Sequence, residues 1–246
     1  MNKGKKTQRV DKILGHLGIG SRADLKKMVK QGRVTLNGQV LKDSGAQADP
    51  HSDRIEVDGE AVFYREFIYI MLHKPAGVIS ATEDTRDRTV IDLLSDKYKV
   101  FSPFPVGRLD KDTEGLLLLT NDGQLAHDLL SPRKHVHKTY YADVRGLVGE
   151  EEVVRFEQGV ELDDGYVTLP AKLVVTGQGH DGEGPVSRIL LTISEGKFHQ
   201  VKRMFEAVGS KVIYLKRMSM GSLTLDEALP KGAFRELTED ELALLR

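Results

Sequence analysis

The sequence predicts an α+β protein with a small N-terminal domain and a larger second domain. The chain has 246 residues, which is above the usual size of a single domain. Its strand-like segments mostly follow one another as hairpins and rarely alternate with helices, so a doubly wound parallel sheet is disfavoured. The charge is also divided: residues 1–42 hold 11 Lys and Arg against two acids, and the remainder holds 25 against 35.

Helix and hairpin signals place a compact unit at residues 9–60. Apolar residues at helical spacing predict a first helix that ends at the glycines of 18–20. Ser21 is a typical N-cap for a second helix. Two-residue hairpin turns are predicted at Asn37-Gly38 and Asp58-Gly59. The unit is therefore expected to pack two short helices on a small sheet.

The second helix carries a basic stripe. Its members are Arg22, Lys26 and Lys30, and Lys27 and Arg33 widen it. Such a stripe can follow a nucleic-acid backbone, although phosphate contacts read no sequence. The charge count alone fits a solubilising tail equally well. The helices and hairpins around the stripe favour a phosphate-binding unit.

The run from Arg9 to Val40 resembles an S4 RNA-binding domain, above all at Ser21–Ala23 (SRA) and Gly32–Gly38 (GRVTLNG). S4 domains occur in ribosomal proteins, synthetases and modification enzymes. The resemblance therefore implies RNA as the partner and leaves the chemistry open. We expect this α/β domain to cover residues 1–63, followed by a linker at 64–67 and a second domain at 68–246.

Alternating and helical patterns continue through the second domain. The predicted strands are Phe67–Leu72, Leu116–Leu119, Tyr140–Val144, Ala171–Val175 and Arg188–Ile193. The predicted helices lie around Val90–Leu94 and over Gln124–Leu130, Glu150–Phe156 and Phe198–Val208.

Composition excludes several kinds of site. The chain has no cysteine, which excludes disulfides, zinc–thiolate sites, iron–sulfur clusters and thiol nucleophiles. No apolar segment follows the basic N-terminus, so a secretory signal is not expected. The longest apolar run, Leu116–Leu119, is far shorter than the ~20 residues of a membrane span. A soluble cytoplasmic protein without membrane association is expected.

Three motifs imitate known sites. Gly177–Gly182 matches the dinucleotide fingerprint G-x-G-x-x-G, but no predicted helix follows to receive a pyrophosphate, so we interpret it as a flexible hairpin loop. Asp110–Gly115 begins like a calcium loop, although Asn121 stands where such a loop needs glutamate. His135 and His137 would share one face of a strand without a third ligand, which favours exposed or RNA-facing histidines.

Residues Gly107–Asn121 (GRLDKDTEGLLLLTN) place an ionisable loop directly before a buried strand, where a side chain can be held rigidly. A solvated acidic turn would fit the same spacing. The run resembles the signature of the RsuA/RluB/E/F family of rRNA pseudouridine synthases. Three further stretches agree with that resemblance: Met71–Gly77 (MLHKPAG), Ser131–Tyr140 (SPRKHVHKTY) and Ile193–Phe205 (ISEGKFHQVKRMF).

The family resemblance implies a fold and a reaction. The second domain is expected to have a mixed, mainly antiparallel sheet with flanking helices and a central cleft. The reaction converts uridine to its C-glycoside isomer without cofactor or metal: the N1–C1′ bond breaks, the base turns over, and C5 bonds to C1′. Because uracil inside folded RNA is unreachable, base flipping at a cost of a few kcal/mol is expected.

Carried over residue by residue, the resemblance makes Asp110 the catalytic carboxylate. Its negative charge suits a glycosidic carbon that is losing its base. Whether Asp110 attacks C1′, attacks the base or removes a proton stays open. Lys202 matches the cation that pairs with this carboxylate, where many relatives have arginine. Arg203 is the neighbouring candidate, but successive helix positions diverge by about 100°, so both are not expected to face Asp110.

The remaining candidates surround the base or the RNA backbone. Tyr140 matches the active-site tyrosine, whose ring can stack on uracil and whose hydroxyl could carry a proton, and Tyr141 is expected on the opposite strand face. Arg108 is expected to replace the flipped base or bind its phosphate, and Leu215 to form an apolar floor. The predicted RNA-binding side chains are Arg22, Lys26, Lys27, Lys30, Arg33, Arg108 and Arg203; Lys202 could also be such a residue.

Within the family, the stretches Glu195–Phe205 and Leu223–Asp226 of this sequence most resemble the RsuA type. This similarity implies one uridine of 16S rRNA as the substrate, within a partly assembled small subunit, and a monomeric enzyme. Three other functions stay open: a 23S rRNA synthase of the RluB/E/F type, a non-catalytic RNA-binding assembly factor, and a calcium-dependent binder.

Overall fold

A computed structural model of the chain describes residues 7–245. These residues pack as two units. One comprises residues 7–68 and Ser95–Ser102, and the other comprises Tyr69–Leu94 and residues 103–245. The N-terminal lysines that contribute to the predicted basic segment (Lys3, Lys5 and Lys6) lie outside the described residues. Between residues 7 and 245 no helix has the length and apolar character needed to cross a membrane.

The first unit contains three helices and six short strands. The helices are α1 (Val10–His16), α2 (Arg22–Lys30) and α3 (Asp96–Lys99). The strands are β1 (Gln8–Arg9), β2 (Val34–Leu36), β3 (Gln39–Val40), β4 (Gln47–Ala48), β5 (Ile55–Val57) and β6 (Glu60–Val62). Strand β1 pairs with β4, and the other four form an antiparallel sheet in the order β3-β2-β5-β6.

Local sequence signals explain these elements. Ser21 caps α2 as predicted: the backbone N–H of Asp24 donates to Ser21 Oγ (3.3 Å), and the N–H of Ser21 donates to Asp24 Oδ2 (3.1 Å). Both predicted hairpin turns are confirmed, with positive φ at Asn37-Gly38 and at Asp58-Gly59. Both long helices and the sheet contribute to one core: Val10, Ile13, Leu14, Leu25, Met28, Val29, Val34 and Ile55.

The segment Ser95–Ser102 joins the first unit although the sequence places it inside the second domain. The ring of Phe101 meets that of His16 edge-on, with 5.4 Å between centroids. The side chain of Val100 approaches Gly18 so closely that a Cβ at Gly18 would lie 2.6 Å from Val100 Cγ1. This packing depends on residues about 80 positions apart, which a local pattern does not reveal.

The second unit contains four helices and nine strands. The helices are α4 (Gly123–Leu130), α5 (Glu150–Gln158), α6 (Gln200–Ala207) and α7 (Glu239–Ala243). The strands are β7 (Tyr69–Lys74), β8 (Phe104–Pro105), β9 (Glu114–Thr120), β10 (Lys138–Arg145), β11 (Lys172–Asp181), β12 (Gly184–Ile193), β13 (Lys211–Met220), β14 (Leu223–Thr224) and β15 (Phe234–Glu236).

The nine strands form one sheet in the order β11-β12-β10-β13-β9-β7-β15, with β14 beside β13 and β8 beside β9. Strands β9 and β13 pair in parallel. The other strand pairs of this sheet are antiparallel. The predicted α+β class, with its mixed and mainly antiparallel sheet, is confirmed.

The parallel pair is the part of the sheet that positions the candidate site. Every residue of β9 is buried, as its run of four leucines predicts. Gly115 faces Arg217 across the pair, and a Cβ at Gly115 would overlap the carbonyl oxygen of Arg217. The backbone of β9 therefore approaches β13 as closely as only glycine permits, with φ +105° at Gly115. This contact places the loop before β9 beside the middle of β13.

Three local predictions need correction. The predicted helix around Val90–Leu94 is a single 3₁₀ turn at Ile91–Leu93. Gly177 and Gly179 lie inside β11, and the hairpin loop contains only residues 182–183, because the strand pairing continues to Asp181. His135 is a left-handed turn residue at the end of the 3₁₀ turn Pro132–Lys134, so His135 and His137 do not share a strand face.

Candidate active site

A cavity of about 360 Å³ opens in the second unit between the loop before β9, strands β10 and β13, and the start of α6. This volume lies in the range of small-molecule sites. Five of the predicted catalytic, RNA-binding and base-pocket residues line it: Arg108, Asp110, Tyr140, Lys202 and Leu215. Residues that are up to 107 positions apart in the chain are thus brought together by the fold.

The Asp110 loop is held by a buried lysine. Lys74 is fully buried, and its Nζ donates to the carbonyl oxygens of Thr113 (2.8 Å), Asp110 (2.9 Å) and Pro75 (3.1 Å). Burial lowers the pKa of Lys74 to about 8, although nearby carboxylates oppose that shift. One ammonium group therefore joins the end of β7 to both ends of the turn that follows Asp110.

A second support lies just before Asp110. Ser80 Oγ donates to the carbonyl oxygen of Leu109 (2.9 Å), and the N–H of Leu109 lies 3.0 Å from the same Oγ. Leu109 itself is buried in the core. The backbone on either side of Asp110 is therefore anchored, while the carboxylate, whose side chain is 29% exposed, faces the cavity.

Lys202 is the cation nearest to Asp110, and it serves two carboxylates. Its Nζ lies 3.1 Å from Asp110 Oδ2, and 2.7 and 2.9 Å from the two carboxylate oxygens of Asp112. Burial alone would lower the pKa of Lys202, but its hydrogen bonds to Asp112 and Asp110 outweigh that effect and raise it. Burial likewise disfavours the charge on Asp112, and Lys202 more than compensates, so the pKa of Asp112 is lowered.

The geometry of α6 explains why Lys202 and Arg203 have different partners. The helix buries Gln200, Val201, Met204 and Phe205 on one side. Lys202 projects from it toward the Asp110 loop, whereas Arg203 pairs with two carboxylates at the other side, those of Asp163 and Asp164. The expected divergence of the two positions is confirmed, and Arg203 does not line the cavity.

His199, at the start of α6, is a third neighbour of Asp110. Its Nε2 lies 3.5 Å from Asp110 Oδ1, and its backbone is left-handed with φ +48°. The ring of Phe198 stacks on that of His199 at 3.8 Å between centroids and is 72% exposed. An aromatic surface therefore lies beside the cavity and within reach of a flat ligand.

Strands β10 and β13 form one wall of the cavity. Tyr140 pairs with Arg217 across the two strands, after a bulge between Thr139 and Tyr140. Tyr140 and Leu215 are buried and line the cavity. Tyr141 points to the opposite face, as expected, where its hydroxyl donates to Asp143 (2.7 Å). The predicted ring and apolar floor therefore lie side by side.

Arg108 and the basic side chains of helix α2 are exposed. Arg108 lies at the cavity, two residues before Asp110. On α2, the side chains of Arg22, Lys26, Lys27 and Lys30 are exposed, which agrees with the predicted stripe. Arg33 differs from them because it forms a bidentate pair with Asp58 (2.7 and 2.6 Å). The charges of Arg33 and Arg203 are thus balanced within the protein.

The acidic run Asp110–Gly115 does not gather its carboxylates around one point. Asp110 and Asp112 face Lys202, whereas Glu114 accepts a hydrogen bond from Tyr214 (2.6 Å) and pairs with Lys231 (2.6 Å). Among residues 7–245, no group of three His, Asp or Glu side chains is arranged to hold a metal ion.

Several supporting residues were missed by sequence reasoning. Lys74 lies in the stretch MLHKPAG and Asp112 in the signature around Asp110. Their positions inside these two motifs could have indicated that both residues belong to the site. Arg217 stands two positions after Leu215 on the same strand, and alternation could have placed both on one face. Ser80 has no sequence signal, because its role depends only on tertiary packing.

The arrangement suits the binding of a planar ring beside a carboxylate. Asp110 offers a carboxylate beside a cation, Tyr140 an aromatic face, and Leu215 an apolar surface. A carboxylate in such a position can stabilise or attack an electron-poor carbon.

Comparisons with known proteins agree with this geometry. Residues 68–207 match the family model for RNA pseudouridylate synthases, and residues 8–60 match the S4 domain. A solved structure described as a pseudouridylate synthase superposes with a TM-score of 0.66 at 35% identity, covering 97% of this chain and all of that one.

Curated relatives span nearly the whole chain. An uncharacterized RNA pseudouridine synthase of Bacillus subtilis, YtzG, is 54% identical, covering 96% of this chain and 98% of its own. The ribosomal large subunit pseudouridine synthase B of the same organism is 42% identical, covering 97% and 96%. The ribosomal small subunit pseudouridine synthase A of Vibrio cholerae is 40% identical, covering 96% and 98%.

Proposed function

Because this chain belongs to the RNA pseudouridylate synthase family, with an S4 domain at its N-terminus, we propose that it isomerises one uridine of 16S rRNA to pseudouridine. The class of enzyme follows from the family: it is an isomerase that acts on RNA. The proposed target is a single uridine in the small subunit that corresponds to uridine 516, the target of the RsuA type.

The observation that carries the proposal is the position of Asp110. Its carboxylate faces a cavity whose wall holds Tyr140 and Leu215, and Lys202 lies 3.1 Å from it. Lys74 and Ser80 fix the backbone on both sides of Asp110. A carboxylate held this firmly can act on one atom of a bound nucleotide without reorganising the loop.

In the proposed reaction the target nucleotide leaves the RNA stack and its uracil enters the cavity against Tyr140. The N1–C1′ bond breaks and its electron pair passes to the base, while Asp110 stabilises or attacks the electron-poor C1′. After the base turns, C5 bonds to C1′; if Asp110 has attacked C1′, the Asp110–C1′ bond breaks in this step and the carboxylate is released. The hydrogen on C5 then leaves as a proton, and N1 takes up a proton. Substrate and product have the same composition, so no co-reactant is consumed.

The S4 domain supplies affinity for the RNA backbone in this proposal. Arg22, Lys26, Lys27 and Lys30 bind phosphates, and Arg108 fills the place of the flipped base or binds its phosphate. We propose that along the chain the RNA-binding domain covers residues 1–63, the linker 64–67 and the catalytic domain 68–246, with the inserted segment Ser95–Ser102 packing in the first unit. The substrate is a partly assembled small subunit in the cytoplasm, and the enzyme acts as a monomer.

The experiment that tests the proposal measures release of tritium from RNA labelled at C5 of uridine, because forming the C5–C1′ bond expels that hydrogen. The wild type is expected to release tritium from substrates that contain 16S rRNA. Asp110→Asn is expected to lose at least about 10³-fold of the rate, with an RNA Kd within about threefold of the wild type. Asp87→Asn, an acid outside the cavity that pairs with Lys111, is the control.

A second target is supported by the large-subunit enzyme among the relatives, which is 42% identical. The same assay with 23S rRNA and with both subunit particles distinguishes a 16S target from a 23S target. Release from 23S rRNA alone would show that the reaction is as proposed but that its target lies in the large subunit. No release from any of these substrates, together with tight RNA binding, would favour a non-catalytic assembly factor. Unchanged release in EDTA would exclude a calcium-dependent role.

A further inference from the structure

Arg217 is a buried arginine in the wall of the active-site cavity whose charge is not balanced by an acid within residues 7–245. Only 2% of its surface is exposed. Its Nε donates to the carbonyl oxygen of Leu116 (2.8 Å), whereas its Nη2 is buried without an acceptor in the described part of the chain. A guanidinium has five N–H donors, and leaving buried donors unpaired is costly. An acceptor on a ligand in the cavity would give Nη2 the partner that it lacks.

Lys138 is a second cation on the same wall. Its Nζ donates to the carbonyl oxygen of Val136 (3.0 Å), and among the described residues no carboxylate pairs with it. Burial lowers the pKa of Lys138, and the positive charge of Arg217 lowers it further. The two cations are therefore close enough to repel each other, and this cost would be relieved by negative charge between them.

The strand register places both cations beside the aromatic ring. Arg217 lies directly across from Tyr140, and Lys138 is two positions before Tyr140 on the same strand face. Lys138, Tyr140, Leu215 and Arg217 all line the cavity that contains Asp110. A planar base stacked on Tyr140 would therefore present its edge to Arg217 and Lys138.

We propose that Arg217 and Lys138 bind the carbonyl oxygens of the flipped uracil and stabilise the negative charge that the base acquires when it leaves C1′. This inference rests on the proposed isomerisation. As the N1–C1′ bond breaks, its electron pair spreads over the uracil ring and its two carbonyl oxygens. Fixed N–H donors at those oxygens act as an oxyanion hole does, because they stabilise charge that is larger in the transition state than in the substrate.

The depth of the site favours the base over a phosphate. Arg217, Tyr140 and Leu215 are 2%, 8% and 6% exposed. A backbone phosphate that remains linked to the RNA on both sides stays near the mouth of a cavity, where Arg108 is exposed. The flipped base is the part of the nucleotide that reaches the buried wall.

The test uses the full-length protein, single-turnover tritium release and RNA binding measured in parallel. Arg217→Met and Lys138→Met remove the charges and keep much of the side-chain volume, and Arg217→Lys keeps a charge without the fork. The control is Lys216→Met, next to Arg217 on the same strand but outside the cavity lining. We expect the two Met variants to lose about 10²- to 10³-fold in rate, with Kd within threefold. Arg217→Lys should recover part of the loss.

Two results would decide against the inference. Rates within threefold of the wild type would overturn it. A Kd weakened more than tenfold, with a salt dependence reduced by about one phosphate contact, would assign the cations to the RNA backbone. If Arg217→Met fails to fold, the rates of Lys138→Met and Arg217→Lys test the inference in its place. If Arg217 had only a structural role, Lys138→Met would react at the rate of the wild type. Absence of release by the wild type would instead refute the proposed function.

Discussion

Lys202 lies closer to Asp112 than to the catalytic candidate Asp110: its Nζ is 2.7 Å from Asp112 Oδ1 and 3.1 Å from Asp110 Oδ2. One ammonium group therefore pairs with two carboxylates on the same loop. Without this cation the two like charges would repel each other. Asp112 is thus part of the electrostatic environment in which Asp110 acts.

Removing the shared cation should affect catalysis more than removing the second acid. We expect Lys202→Met to lower the rate of tritium release by at least about 10²-fold, because both carboxylates lose their partner. Asp112→Asn should cost less than about tenfold, because Lys202 then serves Asp110 alone. A double-mutant cycle measures the coupling. Equal losses in both single variants would contradict a supporting role for Asp112.

The pKa of Lys74 predicts a pH dependence of activity. Above about pH 8 its ammonium becomes an amine with only two N–H donors for three carbonyl acceptors at 3.1 Å or less. The loop that carries Asp110 then loses one support, so we expect the single-turnover rate to fall as the pH rises through about 8.

Stability should move in the opposite direction in that range. The folded pKa of Lys74 lies below the usual 10.5, so the unfolded chain binds more protons between about pH 8 and pH 10.5. The contribution of Lys74 to the free energy of unfolding therefore rises with pH in that window. Urea titrations at the same pH values as the rate measurements distinguish relaxation of the loop from unfolding of the protein.

The control for the pH dependence of the rate is Lys74→Met. This variant should be slower at neutral pH, and its rate should no longer fall as the pH rises through about 8. If the rate still falls there, the pH dependence belongs to another group.

Gly115 predicts a large effect on stability from a single methyl group. Alanine there would be strained at φ +105° and would overlap the backbone of Arg217, whose nitrogen lies 2.7 Å from the ideal Cβ position. We expect Gly115→Ala to lower the free energy of unfolding by about 3 kcal/mol or more, because β9 and β13 must separate.

The matched control for that change is Gly123→Ala at the start of α4. Its added Cβ meets no atom within 4 Å. In a helix alanine is favoured over glycine, so this variant should be neutral or more stable by up to about 1 kcal/mol. Chemical denaturation measures both variants. Similar free energies of unfolding for the two variants would show that the close approach of β9 to β13 is not needed for stability.

The exposed stripe on α2 should contribute to RNA affinity through its salt dependence. We expect each of Lys26→Gln, Lys27→Gln and Lys30→Gln to reduce the slope of log K against log salt by about 0.7–0.9 if its lysine contacts a phosphate. The rate at saturating RNA should stay unchanged. Arg33→Gln is the comparison, because Asp58 already balances that charge. A larger effect from Arg33 than from the lysines would place the RNA contact on the β2–β5 side of the unit.

Much of the architecture could be predicted because its signals are local. Ser21 and Asp24 form the capping box of α2, and Asn37-Gly38 forms the predicted hairpin turn. The four leucines of β9 are buried on both faces, as a continuous apolar run indicates. A local signal fails where pairing with another strand overrides it. Gly177 and Gly179 suggested a loop, but pairing with β12 extends β11 through both glycines.

The class of fold, the S4-like unit and the loop that carries Asp110 could be predicted from the sequence, since each depends on residues that are neighbours in the chain. That Lys202 is shared with Asp112, 90 residues away, becomes visible only in the folded protein. The tertiary structure also decided that Lys74 holds the loop and that Arg217 lies opposite Tyr140. These relationships depend on the close approach of β9 and β13 and on the bulge beside Tyr140, because strand register determines which distant side chains share a face.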